Sequence, residues 1–185
     1  MRGWIALGVW LMACGPGADA SGSRPASAPP LRAHDAPLPG PCVDPVPDAG
    51  ARLGSDADLA GMRVDRSFDL DADGVPDPFV THPIFCGTGG CDWNLYVQRG
   101  ACAHHVGRVF AVLPLPQTLR HRGLVDLLGA ARNGCAGLAR TESLLVFDGD
   151  HYRIARERRC GCPSPDRPGA PDPDALCEQW RPPKR

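Results

Sequence analysis

Phe68-Asp69-Leu70-Asp71-Ala72-Asp73-Gly74-Val75-Pro76-Asp77-Pro78-Phe79-Val80 sets carboxylates at loop positions 1, 3, 5 and 9 and a glycine at 6. A hard cation takes oxygens from alternate residues of one loop, and glycine makes the sharp turn between them. In this stretch Asp69, Asp71 and Asp73 reach inward, Gly74 turns the chain, and the Val75 carbonyl takes position 7. Asp77 closes the ring, directly or through water, so its loss is expected to matter least. Only Arg63 and Arg66 lie close in sequence to offset four carboxylates. The spacing therefore implies a structural Ca²⁺. The competing reading is an acidic turn that holds no ion.

Val80 stands at position 12, where an EF-hand carries a bidentate Glu, and no helical pattern precedes the loop. Pro78-Phe79-Val80-Thr81-His82 reads instead as a strand. Loop and strand together resemble the calcium loop of FG-GAP (VCBS-type) repeats, in which D-x-D-x-D-G-x-x-D runs into a strand. That resemblance implies the ligands Asp69, Asp71, Asp73, Val75 through its backbone, and Asp77. One copy is found, and no repeat of propeller-blade length accompanies it.

Working outward, residues 1–13 read as an export signal: Arg2 is the basic start, and Trp4 to Met12 form an apolar run too short to span a bilayer. Leu11-Met12-Ala13-Cys14 resembles a bacterial lipobox, which implies lipidation at Cys14. By the sorting rule of that class, Gly15 at the next position points to the outer membrane. Residues 14–41 are rich in Pro, Ala, Ser and Gly and read as a disordered tether. The expected domain is 42–162, followed by a Pro-rich irregular tail, 163–185, pinned by Cys177.

Eight cysteines follow the tether: Cys42, Cys86, Cys91, Cys102, Cys135, Cys160, Cys162 and Cys177. An even count after an export signal implies a disulfide framework, whose connectivity stays open. The spacings Cys86-x4-Cys91 and Cys160-x-Cys162 do not suit zinc. Cys86 and Cys91 bracket Gly87-Thr88-Gly89-Gly90, which is flexible enough to fold back and join them. The formal net charge of −1 gives no field that draws nucleic acid. Nineteen of the 20 basic residues are arginine, a bias of composition and not an RNA-binding set.

The fold class expected is mainly β, or α+β: a small antiparallel meander with one short helix at most, stapled by disulfides. A helix start is read at Ser55, for Asp56 to Val64. Strands are read at Asn94 to Arg99, Val106 to Leu113, Gly123 to Leu128 and Ser143 to Phe147. Asp148-Gly149 before Tyr152-Arg153-Ile154 signals a hairpin. Taken in order, the loop, the Cys-Gly-Thr-Gly-Gly-Cys turn, the Leu95-Tyr96-Val97 strand and the Phe147-Asp148-Gly149 hairpin resemble a group of exported bacterial lipoproteins with a C-G-x-G-G-C turn. That resemblance implies fold and location; it carries no activity.

No catalytic set emerges from His34, His82, His104, His105, His121 and His151, since no free thiol is left to pair with them. His104 and His105, on a strand, point to opposite faces. The expectation is a non-enzymatic, calcium-stabilised, lipid-anchored envelope module, monomeric, that binds a protein or glycan. The alternative is an inhibitor or sensor of a periplasmic or extracellular enzyme. Asp92 and Trp93 beside the Cys86–Cys91 turn are the candidate partner contacts: an exposed Trp93 favours the inhibitor, a buried one the binding module.

Overall fold

The computed structural model describes residues 37–54, 59–134, 139–162 and 176–183. Two antiparallel sheets pack face to face. The first contains β1 (Arg63–Phe68), β2 (Asp77–Thr81), β3 (Cys86–Gly87), β4 (Gly90–Arg99) and β5 (Cys102–Ala111). β2 and the short β3 lie along one edge of β4, and β5 along the other. The second runs in sequence order: β6 (Leu115–His121), β7 (Leu124–Gly134), β8 (Ala139–Phe147) and β9 (Tyr152–Cys160). The fold class expected from the sequence holds, with the meander confined to the second sheet.

Side chains alternate across a strand, so each inner face can be filled independently of the outer one. Phe79, Leu95, Val97, Leu127, Leu145 and Phe147 meet in the main core, all nearly inaccessible. Each such side chain contributes about 1.5–3 kcal/mol relative to exposure. The sheets are also joined through their backbones: Val112 N–H donates to Ala130 O at 2.8 Å, and Arg132 N–H to Gly89 O at 2.8 Å. Where β5 passes β9, a bulge places Gly107 at φ +150°, and a Cβ there would lie 3.0 Å from the Tyr152 Cβ. Only glycine suits that crossing.

β2 is buried along its whole length because its two faces serve two cores. Phe79 enters the main core, while Val80 joins Ala49, Tyr96 and Ala103 beneath a helix. That helix, α1 (Pro45–Leu53), starts at an Asp44 cap whose carboxylate accepts Val46 N–H at 3.3 Å. Proline at the first helical position suits such a start. The helix thus lies upstream of the one read from Ser55. Residues 55–58 fall outside the described residues, and a single 3₁₀ turn at Leu59–Gly61 leads into β1.

Three bridges connect described cysteines: Cys42–Cys102, Cys86–Cys91 and Cys160–Cys177. Cys162 is disulfide-bonded as well, and Cys135 lies outside the described residues. The tail is held by more than Cys177. Its backbone pairs with β9 at Glu157↔Arg181 and Cys160↔Cys177, and the Arg158 guanidinium lies 4.8 Å over the Trp180 ring. Leu38, expected in the tether, packs against the main core. The signal segment, Cys14 and the rest of the tether up to residue 36 lie outside the described residues.

Candidate metal centre

The loop between β1 and β2 is held in place by its own apolar residue. Leu70 is completely buried in the main core, and its carbonyl accepts Val125 N–H at 2.9 Å and the Arg120 guanidinium at 3.0 Å. The flanking aspartates are thereby drawn together. Asp69, Asp71 and Asp77 each bring a carboxylate oxygen within 4.8 Å of the others. Two left-handed positions shape the turn, Ala72 at φ 60° and Gly74 at φ 87°. The second is the glycine that the spacing calls for.

Each carboxylate has a distinct environment. Asp69 Oδ2 accepts Gly74 N–H at 2.9 Å, whereas its Oδ1 is buried with no partner. Asp71 is fully buried; Oδ2 receives the Arg99 Nε at 3.2 Å and Nη2 at 3.1 Å, and Oδ1 a long bond from Asp73 N–H at 3.3 Å. Burial lifts the Asp71 carboxyl above its ordinary range, against the pull of Arg99. Asp77, also fully buried, accepts Leu70 N–H at 2.5 Å and Gln98 N–H at 2.7 Å. Burial pushes it up to about 7; the two amides oppose that, and the charges of Asp71 and Asp69 add to it.

Asp73 stands apart from the converged three. Its Oδ1 accepts Val75 N–H at 2.7 Å, which makes it a turn-former in this arrangement. Val75 is exposed. A cation fits the other three: it would meet the unpartnered Asp69 Oδ1 and relieve like charges gathered in a poorly hydrated place. The donors are all hard oxygens, suited to Ca²⁺ or Mg²⁺ and not to thiophilic metals.

The candidate partner residues lie on opposite faces of β4. Trp93 is 8% exposed and lies in the main core, with Nε1–H donating to Ala111 O at 3.1 Å. It is inward because β4 alternates, and Leu95 and Val97 share its face. Asp92, on the opposite face, pairs with Arg108 at 2.9 Å.

Two other clusters went unnoticed in the sequence. Glu142 converges with Cys160 and Cys177, but those sulfurs form a disulfide and Glu142 is held by Arg140 at 2.5 Å and Arg158 at 2.7 Å. That is an ion-pair knot, not a metal set. His121 Nδ1 lies 2.6 Å from the carboxylate of Asp126, which is buried inside β7 and whose Oδ2 has no partner. Asp126 sits amid Leu124, Val125, Leu127 and Leu128, so the pattern there signals only a strand. Compared with protein-family models, with curated proteins and with solved structures, the chain matches none.

Proposed function

We propose that this protein is a calcium-stabilised β module of the cell envelope, held by a lipid at Cys14, that works by binding a protein or glycan and not by catalysis. The observation that carries the reading is the convergence of the Asp69, Asp71 and Asp77 carboxylates, each with an oxygen within 4.8 Å of the others, where one oxygen of Asp69 is buried without a partner. The FG-GAP-like sequence of the loop supports calcium as the ion. Calcium is favoured over Mg²⁺, which demands a tight octahedron and gives up its water reluctantly. Asp69, Asp71 and Asp77 are the ligands proposed, with Asp73 and the Val75 carbonyl completing the set once an ion draws them in. The buried Trp93 favours the binding module, because the inhibitor reading needs that ring in a partner's cleft.

The test is thermal unfolding of the full-length chain with calcium and with chelator. Single-loop extracellular sites bind at roughly 10⁻⁴ to 10⁻³ M, and this charge-rich loop is expected between micromolar and sub-millimolar. A hundredfold excess over Kd stabilises the folded state by about 2.7 kcal/mol. Calcium should raise the midpoint, and Asp71→Ala should remove the difference. Identical melts in millimolar calcium and in chelator would reduce the loop to an acidic turn. For the anchor, Cys14→Ser should move the protein from the membrane fraction to the soluble one. A wild-type protein without acyl mass on Cys14 overturns that part.

A further inference from the structure

The acidic loop is faced by a cation from elsewhere in the chain. Arg99 closes β4, and its Nε and Nη2 both fall on one oxygen of Asp71, at 3.2 and 3.1 Å. The guanidinium is positioned by its strand. Arg99 pairs in register with Cys102, which is bridged to Cys42, and the preceding residue, Gln98, gives its amide to Asp77. The last two residues of β4 therefore touch two of the three converged carboxylates. Their side chains are well shielded, Asp71 fully and Arg99 at 23% exposure, so solvent and salt screen the guanidinium less than a surface charge.

We infer that Arg99 sets the affinity and charge selectivity of this loop, as a fixed counter-charge that secures Asp71 without an ion and repels any cation that enters. The inference rests on the proposal that the loop binds calcium. Charge count is a main determinant of affinity in such loops, and a guanidinium keeps its charge at every working pH. Its repulsion grows in proportion to the charge of the entering ion. Removing it must therefore favour a trivalent ion more than a divalent one. A side chain that merely positions Asp71 gives the opposite result, since its loss loosens a ligand and weakens every ion.

The experiment is calorimetric titration of the full-length chain with Ca²⁺ and luminescence titration with Tb³⁺, for wild type, Arg99→Gln and Arg99→Lys. Arg99→Gln should bind Ca²⁺ about tenfold and Tb³⁺ about thirtyfold more tightly, with an ion-free form that melts earlier. Arg99→Lys, which keeps the charge, should stay within about threefold of wild type. If wild type binds and Arg99→Gln binds no better, or if Arg99→Lys tightens as much as Arg99→Gln, the inference fails while the calcium proposal stands. If neither wild type nor Arg99→Gln binds, both fall. Binding by Arg99→Gln alone supports the inference, with the guanidinium then excluding the ion. Should Arg99→Gln be unfolded without ion, recovery of the fold in calcium below the wild-type Kd supports it; no recovery at saturation overturns it.

Discussion

At the scale of single residues, Asp77 has a structural role in the loop that does not depend on an ion. Its two oxygens take amides from segments far apart in sequence, Leu70 inside the loop and Gln98 on β4. Alanine there leaves two shielded N–H groups without acceptors, at a cost of roughly 1–3 kcal/mol each. Asp77→Ala is therefore expected to lower stability by about 2–4 kcal/mol even in chelator. Asp77→Asn, which keeps one acceptor oxygen, should lose about half as much. Urea unfolding in chelator measures both, and equal stability of Asp77→Ala and wild type would contradict this role. Alternating Asp residues and the glycine were legible in the sequence because they follow a fixed spacing. The division of labour among them was not, because it depends on Arg99 and Gln98, which only the β2–β4 pairing brings near.

At the scale of elements, α1 is fastened to the first sheet by polar contacts as well as by Ala49. Tyr96 donates its hydroxyl to Asp48 at 2.8 Å, Arg52 bonds the same carboxylate at 2.6 Å, and the His105 ring stands edge-on to Tyr96. Burial holds the His105 imidazole down to about 4; the Arg52 charge and His151 add to this, and Asp48 opposes it. In the unfolded chain the ring titrates near its ordinary 6.5, so between these values the unfolded state binds more protons. The stability from this ring is complete above pH 6.5 and is lost as pH falls towards 4. The loss should be about 1–2 kcal/mol, discounted because the ring is partly exposed. His105→Gln should flatten that part of the stability–pH curve, measured by urea midpoints from pH 7.5 to 4. An unchanged slope would show that the ring is hydrated. The helix itself escaped sequence reading because Pro45-Val46-Pro47 resembles a linker, although Asp44 before a proline is a start signal. β1 escaped for another reason. Its residues are all exposed or half-buried and mostly polar, so its place is set by pairing with β2. β6 carries Pro116 and a bulge, which blur the strand pattern further. The β8–β9 turn was legible, since Gly149 at φ 113° needs glycine and the Asp148 carboxylate collects the amides of Asp150 and His151.

At the scale of the whole molecule, two sheets need two inner faces, and the short apolar runs read as strands did not announce that division into two sheets. Nor did they announce how the tail would end. The described part of the proline-rich tail forms isolated bridges and no strand of its own, and these bridges lie along β9, with Glu157 N–H donating to Arg181 O at 2.7 Å and Arg181 N–H to Glu157 O at 2.8 Å. A strand with an open side presents a row of unpaired amides and carbonyls to any other extended chain. The opposite side of that sheet, β6, is protected by Pro116 and its bulge; β9 carries no proline and borrows its cover from the tail. Removing the residues after Cys162, with Cys160→Ser so that loss of the Cys160–Cys177 bridge frees no thiol, should therefore leave a folded protein that self-associates. Circular dichroism should stay β-rich while light scattering rises with protein concentration, and a truncated chain that remains monodisperse would refute this. In this molecule residues 176–183 act as a selvedge, the finished border that keeps one β-sheet from being woven into the next.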